Sequence, residues 1–325
     1  MSWFLRHGSG ALRVPCFGGK RWCPSAYLVV VVVLAGALFV VSRYNYLLFH
    51  SLVELTAIVT SGVFFAVAVV MLRRSGHEFL FLLATGFSAS AVIDLVHALA
   101  YKGMGVFPSY TSNLPTQLWI LARYLEALVI LGASIWLGRR LRRWWALPLA
   151  LGVITASGIA FIFLGWFPTA YVEGSGLTHF KIISEYVIVV ILVAALVIIG
   201  QKRSLLDRWT LSWLGGAVVL TIAAEVCFTR YVSVYGTFNA LGHICKFLAY
   251  TTMLRLVVRN MLERPMQVFG AIVPVCARCK AVRVADNEWV MVEDYLSEQA
   301  GKPVSHGLCP RCYQEMLRES GLSED

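Results

Sequence analysis

Length, composition and charge already separate this chain from soluble proteins. Of its 325 residues, 58% are hydrophobic and 14% are charged, whereas soluble domains carry roughly 25% charged residues. The composition therefore excludes an ordinary soluble domain and indicates a membrane protein surrounded by lipid. The formal net charge of +10 fits a belt of Lys and Arg beside the bilayer, so we expect no nucleic-acid partner.

Eight apolar runs are each long enough to cross the hydrocarbon core of a bilayer as one helix. In chain order they cover residues 25–42, 47–72, 78–101, 115–137, 144–165, 182–200, 209–228 and 237–258. The first run follows a basic leader but lacks a small-residue cleavage site, so we expect a retained anchor and not a signal peptide. The sequence predicts an all-α polytopic membrane protein with eight transmembrane helices.

The connections between these runs alternate between basic and nearly neutral. The basic set comprises the leader at 1–24, Arg73 with Arg74, residues 138–144, residues 201–208 and the exit from the eighth run. The other set holds only Arg43, Lys102, Lys181 and Arg230. Because Lys and Arg accumulate in cytoplasmic loops, this pattern predicts cytoplasmic N- and C-termini and an inner-membrane protein.

Ionisable side chains occur inside the apolar runs, where a charge at mid-membrane costs about 2.5–3.5 kcal/mol on insertion scales. They are His50 and Glu54 in the second run, Asp94 and His97 in the third, Arg123 and Glu126 in the fourth, Glu185 in the sixth, Glu225 in the seventh, and His243 and Lys246 in the eighth. Lipid does not tolerate them singly, so we expect them to face inward and satisfy one another. Since all lie toward the outer ends of their runs, the sequence predicts one shared pocket that opens outward.

The charge balance indicates what such a pocket binds. With neutral histidines, five carboxylates against Arg123 and Lys246 leave a net charge of −3, so we expect a response to protons or binding of a small ligand, cation or metal ion. The candidate ligand-binding residues are His50, Glu54, Asp94, His97, Tyr101, Lys102, Trp119, Arg123, Glu126, His243 and Lys246. Two alternatives stay open: Arg123 and Glu126 form a purely structural ion pair, or Glu185 and Glu225 only meet headgroups and water.

A polar module follows the last run and contains two Cys-x-x-Cys pairs, Cys276 with Cys279 and Cys309 with Cys312. Two such pairs supply the four thiolates of structural zinc, and a module of this size cannot bury enough core to be stable alone. A reducing cytosol disfavours disulfides. His306 stays open as a substitute ligand. The module is expected to be small, α+β and held together by zinc.

The predicted domain organisation has four parts. A basic N-terminus covers 1–24, the eight-helix membrane domain covers 25–258, a linker covers 259–270, and the zinc module covers 271–325.

The segments "DLVHALAYKGMGVFP" (94–108) and "NLPTQLWILARYLEAL" (113–128) resemble the third class of bacterial membrane-associated sensor domains, the MASE type. That family shows an Asp-x-x-His, a Tyr-Lys-Gly-Met turn, a Gln-x-Trp and an Arg-Tyr-x-Glu. The matching positions are Asp94, His97, Tyr101 to Met104, Gln117, Trp119, Arg123, Tyr124 and Glu126. The resemblance extends over most of residues 25–260 and implies a sensor that is not an enzyme.

The module resembles a zinc-ribbon-type tail at the C-terminal end of bacterial sensor proteins. The likeness rests on Cys276 to Lys280, Trp289 to Tyr295, and Ser305 to Cys312. Sensor domains of this type usually precede kinase, cyclase or PAS modules, and this chain carries only the tail. The resemblance therefore implies a receptor that acts through a cytoplasmic signalling protein, with a homodimer as a candidate assembly.

Two other functions fit parts of the pattern. A haem- or metal-binding redox protein would use two of His50, His97 and His243 as axial ligands. A proton- or cation-coupled transporter also needs buried carboxylates, although no inverted repeat is evident. Intramembrane proteolysis is disfavoured because Asp94 is the only aspartate within a run, which rules out an aspartyl pair, and no His-Glu-x-x-His occurs.

Overall fold

A computed structural model describes residues 24–75, 78–139, 143–230, 235–264, 275–283, 288–300 and 307–320. Its contacts divide the chain into two compact units, Met1–Pro265 and Met266–Asp325. The predictions for the leader at 1–23, the linker residues 265–270 and His306 lie outside the described residues, and so do the side chains of Arg73 and Arg74.

The first unit is a helical bundle. Eight helices in its described part are long and apolar enough to cross a membrane, so the chain is a multi-pass membrane protein. They are α1 (Pro24–Tyr44), α2 (Tyr46–Ser75), α3 (Glu78–Ala100), α4 (Asn113–Trp136), α5 (Ala146–Phe163), α6 (His179–Gln201), α7 (Arg208–Phe228) and α8 (Thr237–Val257). The last helix continues as a π-helical segment, Val258–Glu263, so the first residues of the predicted linker are helical.

The centre of the bundle is formed by α3 and α4, which are the most buried helices, whereas α1 and α5 lie at the periphery. Helix α3 packs against α2, α4 and α5, and α8 packs against α7 and α2. Gly86 allows α3 to approach α4, because a Cβ at this position would lie 2.1 Å from Cγ1 of Val129. Gly242 does the same for α8, where a Cβ would lie 2.5 Å from the ring of Phe228. Such small residues permit tight packing between membrane helices.

Two loops join at one end of the bundle, which we call the Tyr101 end. The first is the α3–α4 loop, and the second connects α5 to α6 through a short antiparallel hairpin, β1 (Tyr171–Val172) with β2 (Gly176–Leu177). The side chain of Asn113 accepts hydrogen bonds from the backbone N–H groups of Ala170 and Tyr171, at 2.8 and 3.0 Å. The hairpin is thereby fixed to the start of α4.

Two further contacts hold these loops together. The amide of Gln117 donates to the carbonyls of Phe167 and Pro168. The carboxylate of Glu173 accepts from the hydroxyl and the N–H of Ser112, at 2.8 and 3.2 Å, and these bonds lower the pKa of Glu173. The Tyr101 end is therefore covered by ordered loop structure.

The second unit holds a short antiparallel pair, β3 (Val282–Arg283) with β4 (Trp289–Val290), and two helices, α9 (Val292–Ala300) and α10 (Pro310–Ser320). No residue of α10 is buried. The predicted mixture of strand and helix is present in its described part.

Candidate functional site

The structure brings the ionisable side chains of several helices together below the Tyr101 end. All of them are buried, with a relative exposure of 4% or less. The members of this polar cluster are His50 and Glu54 on α2, Asp94 and His97 on α3, Arg123 and Glu126 on α4, and His243 and Lys246 on α8. Spacings of three or four residues put each pair on one face of its helix.

Ion pairs connect four helices within this cluster. Arg123 donates from Nη2 to both carboxylate oxygens of Asp94, at 2.9 and 2.7 Å, and pairs through Nη1 with Glu126. Lys246 donates to Oε2 of Glu54 at 2.7 Å and to Oδ2 of Asp94 at 3.1 Å. Asp94 therefore lies between two cations, and losing either one leaves a buried charge uncompensated.

The three histidines lie beside this network. Nε2 of His50 is 3.2 Å from Nε2 of His97, and Nε2 of His243 is 3.5 Å from Oε1 of Glu54. One ligand atom from each of these four residues lies within 4.8 Å of the other three. Among the described residues, this is the group of His, Cys, Asp and Glu side chains with the spacing of a metal site.

Aromatic rings enclose the cluster. Tyr101 stacks on His50 with ring centroids 3.7 Å apart. The indole of Trp119 lies 4.7 Å from the guanidinium carbon of Arg123 and 4.7 Å from Nζ of Lys246. The ring face attracts both cations in a site from which water is largely excluded.

A small cavity adjoins the histidines. Its volume is about 30 Å³, and its lining includes His97, Tyr101, Trp119, Lys181 and His243. That volume holds one or two water-sized groups, whereas organic ligands occupy pockets of roughly 300–1,000 Å³. A larger crevice of about 430 Å³ lies between α3 and α5, but apart from Thr155 its lining is apolar.

Lys102 does not reach the cluster, although it was a candidate ligand-binding residue. Its side chain is 53% exposed and pairs with Glu173 at 3.4 Å. In the segment 94–108, the preceding residue Tyr101 is the last one whose side chain reaches the site. The chain turns into the loop there, so the lysine points to the surface.

Lys181 is the site residue that sequence reasoning missed, because it was assigned to a loop. Helix α6 begins at His179, so Lys181 lies inside the bundle, is 1% exposed and pairs with Glu185. The spacing of four residues between the two was the available signal. Glu225 is also buried and lies close enough to Lys181 to interact electrostatically.

These placements settle one open alternative and correct the charge count. Glu185 and Glu225 are 0% and 1% exposed, so neither one merely meets headgroups and water. With Lys181 included, the buried residues of the described spans carry five carboxylates and three cations. The charge count is therefore −2 with neutral histidines, and not −3.

Several buried polar atoms of the cluster, and of Trp119 and Glu225 in the same bundle, have no hydrogen-bond partner among the described residues. They are Nδ1 of His50, Oε1 of Glu54, Nε1 of Trp119, Oε1 of Glu126, Oε2 of Glu225 and Nε2 of His243. Unpaired buried polar groups are rare in folded proteins and mark places where water or an ion completes the structure.

In the second unit, the first cysteine pair forms a tight turn. The N–H of Lys280 donates to the carbonyl of Cys276 at 3.0 Å, and Lys280 adopts a left-handed conformation with φ of 64°. Backbone N–H groups of Cys279 and Arg278 lower the pKa of the Cys276 thiol.

In the second pair, at the start of α10, local hydrogen bonds likewise lower the pKa of the first cysteine. The backbone N–H and the thiol of Cys312 lower the pKa of Cys309. The structure gathers each pair, but among the described residues it does not gather the four thiols into one metal-binding group. The four-thiolate zinc site therefore stays a prediction.

The fold and the cluster together define a multi-pass membrane domain with a buried polar centre. Residues 41–265, which include α2 to α8 and the whole polar cluster, match the MASE3 family of membrane-associated sensor domains. The match covers more than half of the chain, so the chain belongs to this family. No curated protein and no solved structure matches it.

Proposed function

We propose that this sensor domain receives its signal at the polar cluster, by binding a small ligand, a cation or a proton, and passes the signal on through α8. The supporting observation is the position of α8, which supplies His243 and Lys246 to the cluster and Tyr250 as a donor to Glu126 at 3.0 Å. The same helix continues into the π-helical segment that precedes the second unit.

The relay rests on charge balance. Lys246 holds α8 to Glu54 on α2 and to Asp94 on α3. An added proton or cation competes with Lys246 for those carboxylates and changes how firmly α8 is held. A signal results when the ligand binds one arrangement of α8 more tightly than another.

At the opposite end of the bundle, an ion pair connects the continuation of α8 to the start of α7, where Arg264 pairs with Asp207 at 2.8 Å. A second pair, Arg255 with Glu263 at 2.8 Å, joins α8 to its own π-helical continuation. Partial burial acts to raise the pKa of Asp207, but hydrogen bonds from Thr210 and the charge of Arg264 lower it. We call the Arg264–Asp207 pair the exit latch. π-helical segments are frequent at functional sites. This end of α8 is therefore suited to respond when α8 moves at the polar cluster.

We infer that the Tyr101 end faces outward and that both termini are cytoplasmic, in the inner membrane. The described loops and helix ends support this orientation through their charge. The end with the exit latch carries Arg139, Arg143, Lys202, Arg203, Arg208, Arg255, Arg259 and Arg264, and the Tyr101 end carries Arg43, Lys102 and Arg230. Positive residues accumulate on the cytoplasmic side.

We further propose that the chain signals without catalysis of its own. The second unit, held together by zinc, would present the signal to a cytoplasmic partner protein. A cavity of about 30 Å³ favours an ion or a proton over an organic ligand or a haem. The buried charges of the described spans lie toward one end of the bundle, which favours a receptor over a transporter with access to both faces.

Hydrogen–deuterium exchange of the purified protein tests the relay. A pH step from about 8 to about 5 spans the range where histidines titrate, and Zn²⁺ serves as a second probe. We expect either probe to change the protection against exchange in residues 255–264, after correction for the intrinsic effect of pH on amide exchange, in the natural protein and not in Asp94→Asn. Lys102→Gln, which alters the exposed ion pair, is the matched control and should respond like the natural protein. An unchanged segment under both probes, or the same change in Asp94→Asn, contradicts the relay.

A further inference from the structure

We propose that His50, Glu54, His97 and His243 bind one divalent transition-metal ion. This inference rests on the proposed function, because the metal would occupy the cluster that receives the signal. It names the chemical class of the ligand, and the argument uses the geometry of the four side chains.

The distances match a tetrahedral ion. With metal–ligand bonds of about 2.0–2.1 Å, a tetrahedral site has ligand atoms roughly 3.3–3.4 Å apart. The two nitrogen atoms of His50 and His97 are 3.2 Å apart, and the ligand atoms of His243 and Glu54 are 3.5 Å apart. These two pairs form opposite edges of a tetrahedron. One ligand atom of each of the four residues lies within 4.8 Å of the other three, a spread that small side-chain rotations would close around an ion.

Two of the histidines are oriented as metal ligands usually are. Nδ1 of His97 is 2.7 Å from the carbonyl of Pro115, and Nδ1 of His243 is 2.8 Å from the carbonyl of Asn239. A carbonyl only accepts, so each Nδ1 carries the proton and each Nε2 presents a lone pair to the cluster. Metal-bound histidines characteristically donate their other N–H to a carbonyl or carboxylate in this way.

The atoms that would bind the proposed ion are poorly satisfied by the protein. Nε2 of His243 and Oε1 of Glu54 contact each other at 3.5 Å, and neither has a shorter hydrogen bond among the described residues. The other oxygen of Glu54 accepts from Lys246, which orients the carboxylate and leaves Oε1 available. His50 can act as the fourth ligand if its proton moves from Nε2 to Nδ1. Nδ1 of His50 has no hydrogen bond among the described residues, so it is available to carry that proton.

Charge and donor type define the class of metal. The buried residues of the described spans sum to −2 with neutral histidines, and a divalent cation brings that sum to zero. Three imidazoles and one carboxylate suit Zn²⁺, Co²⁺, Ni²⁺, Cu²⁺ or Fe²⁺, whereas Ca²⁺ and Mg²⁺ require mainly oxygen ligands. The small cavity between His97 and His243 has room for a water-sized fifth ligand.

Metal binding to the purified full-length chain tests the site, with Co²⁺ and Zn²⁺ as probes. The test uses a variant, which we call the background protein, that lacks the four thiols of the paired cysteines in the second unit. It carries Cys276→Ser, Cys279→Ser, Cys309→Ser and Cys312→Ser. We expect this protein to bind one Co²⁺ per chain, with a spectrum that lacks thiolate charge-transfer bands. X-ray absorption should show nitrogen and oxygen neighbours, with imidazole scattering.

Matched variants then identify the ligands. His97→Asn and His243→Asn retain an N–H that can reach the same carbonyl but lack the Nε2 ligand atom. We expect each to weaken binding by more than about 100-fold, since changes to outer-shell partners alone cost 10–100-fold. His179→Ala, which changes an exposed histidine at the start of α6, should bind like the background. Monodispersity and thermal unfolding establish that each variant is folded, and Glu54→Gln supplies a further variant.

Two results overturn the metal site: the background protein binds no Co²⁺ or Zn²⁺ stoichiometrically, or folded His97→Asn and His243→Asn bind as tightly as the background. Failure of the proposed function looks different. If the metal binds but exchange in residues 255–264 stays unchanged, the metal site stands and the relay fails. If no metal binds but the pH step changes that segment through Asp94, the relay stands and the metal site fails.

Discussion

The bundle and the second unit each present a candidate metal site, and they differ in how the ligands are held. In the bundle, His50, Glu54, His97 and His243 are buried and already close together. In the second unit, three of the four cysteines are exposed and only each pair is assembled. Lipid forces polar side chains of membrane helices to meet one another. A small polar module outside the membrane has no comparable force, so the proposed zinc ion itself would have to gather its ligands.

Loss of the proposed zinc ligands of the second unit should have the largest effect. We expect Cys279→Ser to unfold residues 275–320 completely, because structural zinc supplies the folding free energy of such modules. Limited proteolysis with mass spectrometry measures this. Thermal unfolding of the bundle should stay unchanged in Cys279→Ser, whereas a strong chelator should act on the second unit and also remove an ion from the proposed site in the bundle. A second unit that resists protease in chelator would show that its ligands need no ion, and the contrast with the bundle would disappear.

Loss of Arg123 should be the most damaging single change in the bundle. Arg123→Met removes one cation from both Asp94 and Glu126, which keep Lys246 and the hydroxyl of Tyr250 as their respective partners, and breaking a buried pair costs about 3–5 kcal/mol. The free energy of unfolding in detergent measures the loss. The double variant Arg123→Met with Asp94→Asn should recover part of it, because fewer carboxylates are left unpaired. Equal stability of Arg123→Met and the natural protein would contradict the buried network.

Asp207 should contribute a smaller, pH-dependent stabilisation at the other end of the bundle. It caps α7 by accepting from the N–H groups of Trp209 and Thr210, and loss of such a cap costs about 1 kcal/mol. The pKa of Asp207 is lowered in the folded protein. Its contribution is therefore present above the ordinary pKa of about 3.9 and is lost as the pH falls through the lower folded value.

Thermal unfolding of Asp207→Asn at several pH values checks this prediction. The difference between the natural protein and the variant should be constant near neutral pH and shrink in acid. A difference that grows toward low pH would reverse the sign and contradict the proposed role of the exit latch.

Lys102→Ala should have the smallest effect, at most about 1 kcal/mol, since exposed ion pairs contribute little. Its partner Glu173 keeps the two hydrogen bonds from Ser112. Unfolding at low and high salt measures the remaining contribution, which salt should remove. A loss as large as that of Arg123→Met would place Lys102 in the functional network after all.

Much of this architecture was predictable because the bilayer imposes strong rules on sequence. The number of spanning helices followed from apolar runs of about 20 residues. The meeting of Asp94 with Arg123 followed from the energetic cost of single charges in lipid. Neither inference required knowledge of how the helices pack.

Other features depend on packing that sequence does not reveal. Lys181 lies near a helix start, and loop and helix readings differ there by only a few residues. The same uncertainty about helix ends led us to expect Lys102 in the cluster. Lys102 in fact follows Tyr101, the residue at which the chain leaves the cluster. The small volume of the cavity results from the close approach of α4, α7 and α8, which no periodicity encodes. The π-helical end of α8 was likewise not predictable from the apolar pattern.

The buried charges of the described spans lie near the Tyr101 end, and the core toward the opposite end is filled by apolar side chains such as Phe64, Phe81 and Leu83. If an ion enters the cluster from the Tyr101 end, as we propose, this apolar core opposes its passage to the opposite end, and the ion would leave on the side from which it came. Occupancy would then follow the concentration on one side of the membrane at equilibrium, undisturbed by any gradient across it. Under our proposal, such a protein would respond to the ion concentration on one side of the membrane without letting the ion gradient run down.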